Sequence, residues 1–153
     1  MPAYFFDSSA IVKRYANEQG SAWVIATANP TRGAYVYIAS ITGVEVIAAL
    51  SRKRKGNAII PTVAAAAISQ FHDDFANEYR VIGISDPIIA RSMKIADAHA
   101  LRGYDAVQLG AALEINGRRV SLGAAPLVLV TGDAQLIIAA TAEGLLTDDP
   151  NAH

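Results

Sequence analysis

Short runs of aromatic and β-branched residues alternate along this chain with stretches whose apolar residues recur at helical spacing, and that alternation leaves few folds open. Ala3–Phe6, Tyr35–Ala39, Arg80–Ile84 and Leu127–Val130 read as strands, with Leu145–Thr147 as a last edge strand. The intervening segments read as helices: Ser8–Tyr15, Ser21–Ala28, a stretch from Ile41 to Lys55, a long one from Pro61 to Asn77, one from Asp86 to Leu101, Tyr104–Ile115 and Ala134–Glu143. The punctuation agrees with this division. Asn29-Pro30-Thr31-Arg32-Gly33 is a turn cluster. Ser85 followed by Asp86-Pro87 is a helix start, and Arg52-Lys53-Arg54-Lys55-Gly56 puts cations in a last turn before a glycine stop. Asn116–Pro126, which carries Arg118 and Arg119, reads as the longest connection. Strands alternating with helices predict an α/β fold, a parallel sheet covered on both faces.

Four acidic residues stand where this pattern passes from strand to helix or just inside a helix. They are Asp7 after Tyr4-Phe5-Phe6, Glu45 in Ser40-Ile41-Thr42-Gly43-Val44-Glu45, Asp105 in Arg102-Gly103-Tyr104-Asp105-Ala106-Val107-Gln108-Leu109, and Asp133 in Val130-Thr131-Gly132-Asp133. In an α/β fold the ligand crevice lies at the carboxyl ends of the strands, so acids far apart in sequence converge there. Each acid also has a plain structural explanation. Asp7 and Asp133 suit helix N-caps, Thr42-x-x-Glu45 suits a capping box, and Asp105 suits a first helical turn. Together the four say more. They sit in apolar surroundings, and no Arg or Lys lies beside Asp7, Glu45 or Asp133 in sequence to balance them. Buried carboxylates need a cation or hydrogen-bond donors, and clustered carboxylates suit a hard divalent ion.

Composition narrows the classes. At 153 residues and 52% hydrophobic content, a single domain spanning 1–153 with its own core is expected. With no cysteine, a disulfide scaffold, a thiolate zinc site and a cysteine nucleophile are excluded. With three histidines, His72, His99 and His153, histidine–zinc and Ser–His–Asp chemistry find little support. The N-terminus lacks the pattern of a signal peptide and no apolar run is long enough to span a membrane, so a cytoplasmic location is expected. Net charge is −1, but with four of the 14 acids set aside ten face 13 Lys and Arg, a balance compatible with phosphate contacts.

These motifs resemble the PIN-domain nucleases, and among them the compact VapC-type toxins of bacterial toxin–antitoxin pairs. Phe6-Asp7-Ser8-Ser9-Ala10, Ser40–Glu45, Tyr104-Asp105-Ala106-Val107-Gln108-Leu109 and Thr131-Gly132-Asp133 match in order over nearly the whole chain. The resemblance implies a PIN-like α/β/α sandwich with a central, mostly parallel five-stranded sheet. It implies an endoribonuclease that cleaves single-stranded RNA with Mg²⁺ or Mn²⁺, using a water activated on the cation. Asp7 and Asp105 would hold the metal most directly, with Asp133 and Glu45 acting partly through water. Ser8 and Thr131 would supply pocket hydroxyls. Arg102, Arg52 and Lys53 are candidates to contact RNA, the last two also suiting a solvated basic helix end. A cognate antitoxin and a homodimer are the partners the resemblance implies. Gly132 and Gly43 are mild departures from the family's pattern. The Tyr4-Phe5-Phe6 cluster, Trp23 and Tyr35 read as core or interface. Two other readings stand beside this one. A catalytically idle PIN fold would bind RNA or act as a scaffold. A Mg²⁺-dependent phosphatase would also end a first strand in Phe-Phe-Asp, although Ser9 stands where its second acid belongs and no lysine lies near Asp133.

Overall fold

The computed structural model describes residues 1–153. Its five strands, β1 (Ala3–Phe6), β2 (Tyr35–Ala39), β3 (Arg80–Ile82), β4 (Val128–Val130) and β5 (Leu146–Asp148), form one sheet in the order β3-β2-β1-β4-β5. Every pairing is parallel, so the sheet is wholly rather than mostly parallel. The helices are α1 (Ser8–Ile11), α2 (Ser21–Thr27), α3 (Ser40–Lys55), α4 (Pro61–Asn77), α5 (Asp86–His99), α6 (Gly103–Ser121) and α7 (Ala134–Ala142), with short 3₁₀ turns at Val12–Arg14, Pro30–Arg32 and Pro150–Ala152.

β1 is central, and its side chains alternate between two cores as a strand's must. Phe5 belongs to a core built with Leu109, Leu127, Leu129 and Leu136, beneath α5, α6 and α7. Phe6 belongs to a second core with Ile11, Ile38, Leu50 and Phe71, beneath α1, α3 and α4. Strand order reverses direction at β1, with β2 on one side and β4 on the other. That is a topological switch point, where α/β sheets open a crevice at the carboxyl ends of their strands. Asp7 leaves β1 there, and its backbone N–H donates to the Val130 carbonyl at 3.1 Å, which fixes the first and fourth motifs against each other.

Some expected boundaries differ. The helix carrying Asp105 runs on to Ser121, so Arg118 and Arg119 are helical and not part of a long loop. Asn116-Gly117 does not stop the helix, because the Asn116 carboxamide oxygen accepts the Leu127 N–H at 3.0 Å and binds the helix to the start of β4. The chain turns at Gly123, whose φ of 77° is the left-handed conformation glycine allows. At the other extreme, Ser8–Tyr15 is a single α-turn that tightens into a 3₁₀ turn over Val12–Arg14.

Candidate active site

The four acids do come to the carboxyl end of the sheet, each on a different element. Asp7 is the N-cap of α1, with its carboxylate accepting the Ala10 N–H at 2.9 Å. Asp133 is the N-cap of α7 and accepts the Leu136 N–H at 2.9 Å. Asp105 lies in the first turn of α6. For these three the plain structural reading holds: Asp7 and Asp133 are N-caps and Asp105 lies in a first helical turn. For Glu45 the capping box is overturned. The cap of α3 is Ala39, Thr42 is already a buried helical residue, and its hydroxyl accepts from Gln108 Nε2 at 2.9 Å. Glu45 is thus free to face α6, where Gln108 Nε2 also stands 3.3 Å from its carboxylate.

Hydroxyls organise the centre. The Thr131 hydroxyl donates to one Asp7 oxygen at 2.5 Å and accepts the Asp133 N–H at 3.1 Å, linking two of the acids through one side chain. The other Asp7 oxygen accepts from Ser9 at 2.7 Å, and Ser9 in turn accepts the Gly132 N–H at 3.2 Å. Ser8 turns away toward Thr42 and Gln108. Of the two expected pocket hydroxyls Thr131 touches an acid; Ser9 takes the place given to Ser8. Gln108, two per cent exposed, gathers Ser8, Thr42 and Glu45 around its amide nitrogen and leaves its Oε1 buried without a partner. Its signal in the sequence was a polar residue on the apolar face of α6, between Ala106 and Leu109.

Burial decides the electrostatics. Asp7 is 4% exposed, and desolvation pushes its carboxyl up from 3.8 to about 6, outweighing the hydrogen bonds from Thr131, Ser9 and the Ala10 N–H that pull it down. The negative charge of Asp105 adds to the rise. Asp105 is itself raised, first by burial and then by Asp133, while Arg102 opposes both. Asp7 is therefore harder to ionise than a free aspartate although it caps a helix N-terminus.

The fit to a divalent ion rests on the donor set and on what already stands among the acids. The donors are carboxylate oxygens, which hard cations prefer. Arg102 holds its guanidinium between two of them, with Nε 3.3 Å from Asp105 and Nη2 3.3 Å from Asp133. A positive group thus already neutralises part of the charge of this pair. Its side chain is 83% exposed, so it is held weakly and can swing out. With the side chains as they stand, no three acidic or imidazole groups close around one point. Of the other expected RNA contacts, Lys53 is engaged with Glu18 at 2.9 Å, and Arg52 lines a pocket beside Glu45. His72 is exposed, and His99 pairs with Glu143 at 2.7 Å.

A five-stranded parallel sheet with acids at its switch point is the architecture of the PIN-type toxins, and solved structures show the likeness directly. The chain superposes on a toxin–antitoxin complex from Klebsiella pneumoniae with a TM-score of 0.64 at 17% identity, covering 96% of this chain and 97% of that one. It superposes on DNA-bound VapBC from Salmonella typhimurium with a TM-score of 0.61 at 16% identity, covering 98% and 99%. No protein-family model matches the sequence. Two relatives from Mycobacterium tuberculosis strains, ribonucleases VapC45 and VapC49, are each 31% identical over 150 residues, covering 94% of this chain and 93% of theirs. The chain belongs to the VapC ribonuclease family.

Proposed function

We propose that this protein is a toxin endoribonuclease that cleaves single-stranded RNA with a divalent cation and is held in check by an antitoxin. The observation that carries the reading is the buried Asp7 carboxylate, which accepts three hydrogen bonds from neutral groups and has no cation of its own. Asp7 and Asp105 would hold Mg²⁺ or Mn²⁺, with Asp133 and Glu45 completing the ring of charge. Such an ion supplies Lewis acidity toward a phosphate oxygen and a water of lowered pKa. The protein's own share is positioning. Thr131 and Ser9 fix both oxygens of Asp7, the α7 N-terminus orients Asp133, and Gln108 ties Glu45 to the helix that carries Asp105. No serine or histidine nucleophile is required. The names of the two mycobacterial relatives support the ribonuclease reading.

The test is cleavage of an unstructured RNA with Mg²⁺ or Mn²⁺, with chelator, and beside a small aryl phosphate. Metal-dependent RNA cleavage with no aryl phosphate hydrolysis is expected. RNA binding without cleavage would favour the idle scaffold, and aryl phosphate hydrolysis alone the phosphatase.

A partner fits a second feature. Gly43, Val44, Ile47 and Phe75 line an open apolar groove of about 600 Å³ between α3 and α4, one turn from Glu45, and Val44 is 73% exposed. Exposed apolar surface of this kind marks interaction sites. An antitoxin docked there could direct a Lys or Arg at the acids and balance them as a metal does. If a small protein is encoded in the adjacent reading frame, its co-expression should rescue growth and yield a complex. A homodimer belongs to the same reading and is checked by light scattering.

A further inference from the structure

Beside the acids, on the α3 side, lies an open pocket of about 420 Å³, within the roughly 300–1,000 Å³ usual for small-ligand sites. Its floor is apolar, formed by Val12, Val44, Ala48 and Ala49, and Glu45, Ser8 and Ser9 border it. Two further side chains line it: Tyr104 and Arg52. Tyr104 is 62% exposed although it is large and aromatic and directly precedes Asp105. Its ring enters none of the aromatic pairs that organise Phe71, Tyr15 and Trp23, and no cation lies over it as Arg80 lies over Tyr35. Arg52 is equally unengaged. Its neighbour Lys53 is paired with Glu18, but Arg52 makes no ion pair.

An exposed ring, an unpaired guanidinium and an apolar floor next to the phosphate-cleaving acids form the combination that single-stranded nucleic acids use: a stacking face for a base and a cation for its backbone. We propose that this pocket is a nucleobase subsite, in which a base of single-stranded RNA stacks on Tyr104 while Arg52 holds the phosphate attached to it. The proposal rests on the ribonuclease reading and specifies where the strand lies, along α3 from Arg52 toward Asp7. It gives Tyr104 a reason to face solvent. Stacking tolerates any base, so the subsite sets affinity and register more than sequence.

The experiment measures binding of fluorescein-labelled single-stranded oligoribonucleotides by anisotropy, in the presence of Mg²⁺, to an Asp7→Asn parent that does not cleave them. Tyr104→Ala should weaken binding roughly tenfold, while Tyr104→Phe, which keeps the ring, should stay near the parent. The salt dependence should be unchanged in Tyr104→Ala. It should fall by about 0.7 in log–log slope in Arg52→Gln, the loss of one phosphate contact. Both side chains are exposed, so the variants should melt with the parent. Parent-like affinity of Tyr104→Ala, or equal weakening in Tyr104→Phe, would overturn the subsite while leaving the ribonuclease reading intact. Failure of the parent to bind RNA, together with a wild type that cleaves none, would overturn both.

Discussion

Two aspartates in this molecule are almost fully buried, and they are provided for in opposite ways. Asp74 of α4 is 2% exposed and stands in a set of partners that includes a cation. Tyr15 donates to it at 2.6 Å, Gln70 donates at 2.8 Å, and Arg14 lies 3.5 Å away while also pairing with Glu78 at 2.9 Å. Tyr79 joins the set through contacts with Arg14 and Tyr15. Asp7 is buried to nearly the same degree but is met only by neutral donors, and the charge nearest in effect is another acid, Asp105. A buried carboxylate with its own arginine ties elements together. One without a cation is, on the proposed function, where a cation from outside would be held.

The largest expected effects break this comparison directly. Asp7→Asn and Asp105→Asn should each lower RNA cleavage by roughly a thousandfold or more, since each removes a carboxylate that would hold the cation. Both should stay folded. At position 7 the carboxamide oxygen can still accept from Ser9 and the Ala10 N–H, and the Thr131 hydroxyl can turn to accept from the new amide. Asp74→Asn should do the reverse. It leaves Arg14 partly uncompensated, so it should cost about 3 kcal/mol in urea unfolding while cleavage by the folded protein is unchanged. Loss of cleavage in folded Asp74→Asn would erase the distinction.

The same contrast shows what could be read in the sequence. Asp7 and Asp133 were legible because strand–helix junctions are local events, and Asp105 because a first helical turn is one too. A run of apolar residues ending in Asp is a strand followed by a cap, and parallel strands put their caps at one end. Asp74 carried no comparable signal, since its partners Arg14 and Tyr15 lie about sixty residues away. Ser9 and Gln108 were passed over for a related reason. Both look like ordinary helix residues until the register of β1 against β4 and the rotation of α6 set them against the acids. The capping box at Thr42 and Glu45 misled because α3 begins at Ser40, three residues earlier than such a box requires. The stop expected at Asn116 failed because a tertiary hydrogen bond to Leu127 overrode local propensity.

Smaller effects sharpen the comparison. Asp7 binds its proton more tightly folded, at about 6, than its ordinary value of 3.8. The folded state therefore holds the extra proton between these values, and stability falls as pH rises through that window. Metal-free wild type should lose about 2 kcal/mol between pH 4 and pH 7 relative to Asp7→Asn. Chemical denaturation at several pH values measures this, and a flat difference would mean Asp7 is not held above its ordinary value. The smallest effect belongs to Arg102. Its pairs with Asp105 and Asp133 are exposed, so Arg102→Gln should tighten Mn²⁺ binding by only about two- to fivefold in calorimetry.

The claim that Asp7 awaits an external cation while Asp74 does not is tested most directly by melting three proteins with and without Mn²⁺. Binding to the native state raises the melting temperature by mass action. Wild type and Asp74→Asn should show the same metal-induced rise from different starting points, and in Asp7→Asn the rise should be nearly abolished. An equal rise in all three proteins, or none in the wild type, would contradict the account.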